Sequence, residues 1–228
     1  MKTSQIHLAY IWELPVRLFH WVNVLCLIVL AITGYIIGNP PALMSSAEAY
    51  AGYWFGWVRF IHFATAYLFL LNAVIRLYWA FVGNSHSRWS SYLPLSAGQR
   101  SELGAMVKRY GLLELEEEQP SGHNALAGLS YFVLMLVVIF QLISGFGMYA
   151  AMSDSWFPQM FSWIVPLMGG DMAVRQWHHL VMWVLILFGV IHVYLVVFNE
   201  YLQPHGLFLS IITGWKFVRR TRSGNNSN

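Results

Sequence analysis

The chain has 228 residues, 57% of them hydrophobic, 17% aromatic and only 10% charged, a balance that excludes an ordinary soluble globular domain and fits an integral membrane protein. Its formal net charge of +3 does not imply a nucleic-acid partner, because basic residues in such a chain first report the membrane side of each connection. A single cysteine, Cys26, excludes a disulfide framework, a cysteine-ligated iron–sulfur cluster and a C-x-x-C-H attachment site, so histidine is left as the residue for any redox centre.

In chain order, the amino end MKTSQIHLAYIWELPVR is too long and too mixed for a signal n-region, so the apolar run after it is read as retained. Four runs, at about 18–38, 54–82, 125–151 and 172–198, reach the roughly 20 residues needed to cross ~30 Å of hydrocarbon. Trp21, Trp54, Trp57, Trp79 and Trp177 crowd their ends, as interfacial aromatic belts do. The central connection, about 83–122, holds the acidic run Glu114 to Glu118, read as a solvated face with no chemistry of its own. The tail, about 201–228, contains LFLSIITGWKFVRRTR. That stretch is too short to span and reads as an interfacial helix whose basic end meets anionic lipid heads.

The amino end, the central connection and the tail carry Lys2, Arg17, Arg76, Arg88, Arg100, Lys108, Arg109, Lys216, Arg219, Arg220 and Arg222, against only Arg59 and Arg175 in the other two connections. This asymmetry places both termini in the cytoplasm. The expected fold is therefore all-α: a bundle of four transmembrane helices forming a single membrane domain.

Four histidines lie in the apolar runs at matched depths: His62 with His178 toward the outside, His20 with His192 toward the inside. From His178 to His192 the helical rotation is roughly 1400°, within about 40° of whole turns, and the axial rise is ~21 Å, so both share one face at two levels. His179 falls about 140° from that face, which makes His178 the ligand candidate of the adjacent pair. Paired imidazoles from different helices are what b-type haem requires when no covalent attachment exists, so the pattern predicts two haems, with all four histidines as iron ligands. Zinc would want three or four ligands at one level. The competing reading, four separate interhelical hydrogen-bond donors, does not account for the matched depths.

Arginine precedes three of these histidines at the same offset, in RLFH (Arg17, His20), RFIH (Arg59, His62) and RQWH (Arg175, His178). Residues i and i+3 share a helix face, so each guanidinium lies a turn nearer the membrane surface, where haem propionates need cations; plain snorkelling anchors would look similar. Gly34 and the run Ser144-Gly145-Phe146-Gly147 are expected to let a flat macrocycle approach the backbone.

The motifs LPVRLFHWVN, RFIHF, RLYWAFVGNSHSR, SGHNALA, ISGFGMY, QWHHLVMW and HVY cover nearly the whole chain. They resemble the b-type cytochrome subunit of membrane-bound nickel–iron uptake hydrogenases, within the cytochrome b561-like group that includes the formate dehydrogenase gamma subunit. The resemblance implies that His20, His62, His178 and His192 hold two haems b. It also implies a hydrogenase small subunit, and through it the large subunit, docked on the periplasmic face of a bacterial cytoplasmic membrane. Electrons would pass from H₂ oxidation to a quinone, menaquinone or ubiquinone, with His123 and Asn124 of the GHN motif near its site. The chain alone has no nickel-binding cysteines and so conducts electrons without activating H₂. Two rivals stand beside this reading: a gamma-type subunit of another dehydrogenase such as formate dehydrogenase, and, more distantly, a histidine-lined transporter or channel.

Overall fold

Each long apolar run forms a helix in the computed structural model, which describes residues 5–41, 53–84, 87–88, 101, 125–202 and 206–220. Helix α1 (Leu14–Gly38) starts with Pro15 in its first turn, where a fixed φ and a missing N–H cost nothing, and stops just before Asn39-Pro40. Helix α2 (Trp54–Val82) ends at Gly83, where a Cβ would fall 2.8 Å from the Trp79 carbonyl oxygen. Helix α3 (Ala125–Ala150) is followed by two single turns, α4 (Trp156–Gln159) and α5 (Ile164–Leu167). Helix α6 (Asp171–Leu202) begins after Gly169 and Gly170, both at positive φ, with Asp171 complementing the dipole in its first turn.

The four long helices carry apolar windows of mean hydropathy 2.2, 1.6, 2.2 and 2.7, with few residues buried inside the protein. Leu25, Ile32, Leu187 and Val190 are each more than half exposed, so large aliphatic side chains face outward along the spans. Water would penalise such a surface; a bilayer does not, and the intrahelical hydrogen bonds satisfy the backbone there.

The outcome is mostly helical rather than all-α. The segment Trp215–Arg220 forms strand β2, paired antiparallel with strand β1 (Gln5–Tyr10) in the register Gln5↔Arg220 through Tyr10↔Trp215. The expected interfacial helix is real only as α7 (Leu207–Thr213), which Gly214 ends at φ 90°. A Cβ on Gly214 would meet the Tyr10 ring at 2.5 Å and the Trp12 carbonyl at 2.7 Å. Its own carbonyl accepts from the Ile11 and Trp12 amides at 2.9 and 3.2 Å, which turns the chain into the strand. Two helix limits also differ from expectation. Helix α1 begins at Leu14, ahead of Arg17, whose guanidinium donates to the Ile212 carbonyl, and α6 runs on to Leu202 through the polar pair Asn199-Glu200.

The chain divides into two compact units. A terminal unit comprises Met1–Leu18, Leu77–Phe132 and His192–Asn228; a second unit comprises Phe19–Arg76 and Val133–Ile191. In the terminal unit, the Glu13 carboxylate accepts from Trp79 Nε1 (3.0 Å), the Asn84 amide (3.1 Å) and Ser87 Oγ (3.3 Å). Glu200 accepts from the Gly206, Leu207 and Phe208 amides at 3.1, 2.5 and 3.3 Å, filling the role a cap residue would play at the start of α7. In the second unit, Tyr67, Phe146, Phe157 and Phe161 form an aromatic cluster that seats α4. Gly147 lets Ile164 of α5 come against α3 where a Cβ would collide with it.

Candidate functional site

Within the second unit, His62 of α2 and His178 of α6 are each backed by a hydroxyl-bearing residue followed by glycine. Thr33 Oγ1 lies 2.8 Å from His62 Nδ1, and Ser144 Oγ lies 2.8 Å from His178 Nδ1. Thr33 and Ser144 are buried, at 7% and 0% exposure, so these contacts are shielded from solvent competition. A Cβ on Gly34 would stand 3.2 Å from His62 Cε1, and one on Gly145 would stand 3.1 Å from His178 Cε1. The glycines thus make room for the imidazole rings, a closer use than the expected approach of a macrocycle. Gln141 Nε2 donates to the His178 carbonyl at 3.1 Å.

A Cβ on Gly34 would meet His62 Cε1 at 3.2 Å and also Met182 Sδ at 3.8 Å, and Met182 lies one turn beyond His178 on α6, so the His62 ring and this stretch of α6 lie against the same glycine of α1. His179 turns elsewhere: its ring lies against Gly38 and packs with Tyr35 and Trp183. The separation of the two adjacent histidines follows the helical rotation read from the sequence. His20 lies on α1 with its ring edge-on to Trp21 at 5.2 Å, and His192 lies on α6; these two belong to different units.

The donor set suits one kind of centre. Among the described residues no group of three or more His, Cys, Asp or Glu side chains is placed to hold a bare metal ion. Two neutral imidazoles, each anchored through Nδ1, are instead what axial ligation of a porphyrin-held iron uses.

A family profile described as prokaryotic cytochrome b561 matches residues 11–214. The chain belongs to that family. Relatives of this cytochrome b561 chain include the probable Ni/Fe-hydrogenase B-type cytochrome subunit of Cupriavidus necator, 37% identical over 93% of this chain and 88% of that protein. The protein of the same name from Azotobacter vinelandii is 38% identical over 94% of this chain and 90% of its own length. The probable Ni/Fe-hydrogenase 1 B-type cytochrome subunit of Escherichia coli K12 is 30% identical over 94% and 93%. A b-type cytochrome carries haem b, and the paired imidazoles are residues of the kind that would hold it.

The three arginines are engaged as follows. Arg17 donates to the Ile212 carbonyl, Arg59 Nη2 contacts Met152 Sδ at 2.6 Å, and Arg175 Nε bonds Asp171 Oδ2 at 2.6 Å in a half-exposed pair. His123, Asn124 and the acidic run Glu114 to Glu118 lie outside the described residues. The sequence reading did not single out Thr33 or Asn72. Asn72, 6% exposed, donates to Asn23 Oδ1 at 2.5 Å and to the Phe19 carbonyl at 3.1 Å, joining α1 to α2. A clue to Thr33 was present in the parallel dipeptides Thr33-Gly34 and Ser144-Gly145.

Proposed function

We propose that this chain is the di-haem b electron-transfer subunit of a membrane-bound nickel–iron hydrogenase, anchoring the hydrogenase small subunit, and through it the large subunit, at the periplasmic face of a bacterial cytoplasmic membrane. The observation that carries the proposal is the His62–His178 pair: imidazoles on two helices, each held at Nδ1 by a buried hydroxyl. The names of the relatives supply the partner, and the excess of Lys and Arg in the terminal segments and central connection supplies the orientation.

His62 and His178 would hold an outer haem, and His20 and His192 an inner one. When bound, haem b supplies a one-electron carrier at each level. The protein's part is to present neutral ligands in fixed orientations, to exclude water along the spans and to set cations near the propionates. Arg59 and Arg175 are the cations available on the outer side and Arg17 on the inner side. Quinone, menaquinone or ubiquinone, would be reduced on the cytoplasmic side, where His123 could deliver a proton and Asn124 a hydrogen bond. Electrons entering outside and protons taken up inside make the cytoplasm negative, against roughly 2.3 kcal/mol per charge per 100 mV.

Pyridine-haem quantification beside a reduced-minus-oxidised spectrum of the purified subunit tests the proposal. Two haems b per chain are expected. A chain devoid of haem bands would overturn it in favour of a histidine-lined transport path, and co-purification with a formate dehydrogenase instead of a hydrogenase would reassign the partner.

A further inference from the structure

We propose that Thr33 and Ser144 are positioning residues for the outer haem, each fixing the tautomer and ring rotation of one axial histidine; this rests on the reading of His62 and His178 as ligands. The argument is a count of protons. A threonine hydroxyl has one hydrogen, and Thr33 Oγ1 lies 2.6 Å from the Val29 carbonyl, an acceptor that can only receive. The hydroxyl therefore donates backward along α1, and toward His62 Nδ1, 2.8 Å away, its oxygen accepts. Ser144 repeats the arrangement on α3: Oγ donates to the Gln141 carbonyl at 3.2 Å and accepts from His178 Nδ1 at 2.8 Å. Both rings are thereby held as the Nδ1–H tautomer, and both keep the Nε2 lone pair for iron.

The glycine that follows each hydroxyl completes the seat. Gly34 and Gly145 admit the ring edge at contacts that a Cβ would crowd, so each imidazole rests between a hydroxyl oxygen and bare backbone. Two helices unrelated in sequence position thus present the same two-residue device to the two members of one pair. His179 provides an internal control. Its ring also rests on a glycine, Gly38, but the residue before that glycine is Ile37, which offers no hydroxyl. The device marks His178 and not its neighbour.

The choice of a hydroxyl as acceptor sets the ligand's electronic character. Accepting from Nδ1–H makes the imidazole a better donor and favours ferric iron, but a neutral oxygen does so less than a carboxylate would. Removing the acceptor should therefore raise the midpoint potential of that haem and no other.

The test uses the full chain in membranes with Thr33→Val, Ser144→Ala, the hydroxyl-retaining Thr33→Ser and Ser144→Thr, and His62→Ala as reference. Haem content, redox titration and low-spin ferric EPR are read in each. Thr33→Val and Ser144→Ala should each shift one of the two midpoints upward and move that haem's largest g-value, while Thr33→Ser and Ser144→Thr stay close to wild type. If Val or Ala at these positions abolishes the haem while the hydroxyl variants keep it, the positioning role also stands. Unmoved potentials and g-values in haem-replete Thr33→Val and Ser144→Ala overturn the inference, even if those variants are less stable. A His62→Ala chain that keeps both haems would instead overturn the ligand assignment itself.

Discussion

The two units solve the problem of polar groups in opposite ways. Around the His62 and His178 rings the hydrogen bonds described above join hydroxyls, a glutamine amide and helix carbonyls, and the ion pair of the same unit, Arg175 with Asp171, is half-exposed. In the terminal unit carboxylates organise the structure, with Glu13 gathering an indole, an amide and a hydroxyl, and Glu200 gathering three successive amides. The difference follows from desolvation. An ionised carboxylate at membrane depth costs several kcal/mol, whereas one near the interface can serve as a multi-donor clamp. The comparison teaches where a substitution should act: in one unit on cofactor properties, in the other on local stability.

The largest effect expected of that division is at the imidazole pair. His62→Ala or His178→Ala should remove one haem of two and abolish H₂-driven quinone reduction, while His179→Ala leaves both haem spectra in place. His20→Ala and His192→Ala should remove the other haem. Redox titration of the five variants checks this, and loss of a common haem from His62→Ala and His192→Ala would break the pairing.

Next in size is Glu13→Ala. Three donors lose their acceptor, and a buried group left unsatisfied costs about 1–3 kcal/mol, so thermal unfolding should shift down markedly. The potentials of the two haems should stay within error of wild type. A shifted potential for the haem held by His62 and His178 would show that the two units do not act separately.

A smaller effect is predicted at Lys216, whose ammonium is pushed below the ordinary lysine value of 10.5 by burial, with the Glu200 carboxylate pulling it partly back. A lysine whose folded pKa lies below its unfolded one binds fewer protons when folded, so stability rises as pH climbs from the folded value toward 10.5. In Glu200→Gln the opposing pull is gone, and the rise should begin at lower pH. Thermal melts across the alkaline range read this, and identical pH profiles in the two proteins would remove Glu200 from the account. Smallest of all is Asp171→Asn. Its pair with Arg175 is half-exposed, at 51% and 47%, so the loss should be under about 1 kcal/mol and should fade with added salt.

Much of this architecture was legible because membrane depth and helical rotation are strong constraints. The four spans emerged from hydropathy alone, and the separation of His178 from His179 followed from 100° per residue. What stayed hidden depended on contacts between distant segments. WKFVRR reads as a basic, aromatic interfacial stretch until QIHLAY is known to lie beside it, and no local periodicity announces that partner. Thr33, and the part played by the Ser144 hydroxyl, were obscured for another reason: a hydroxyl beside a glycine in an apolar helix is what close helix packing also uses. Only the position of the imidazole distinguishes the two uses.

The antiparallel pairing of Gln5–Tyr10 with Trp215–Arg220 has a consequence for biogenesis. The strand made early has no partner while the four spans are being threaded into the bilayer, and it presents an unpaired edge throughout synthesis. Its ladder closes only after the segment following α7 leaves the ribosome. The sheet therefore reports on the whole route of the chain between its strands: only when all four spans have been laid down can Gln5–Tyr10 and Trp215–Arg220 meet in register.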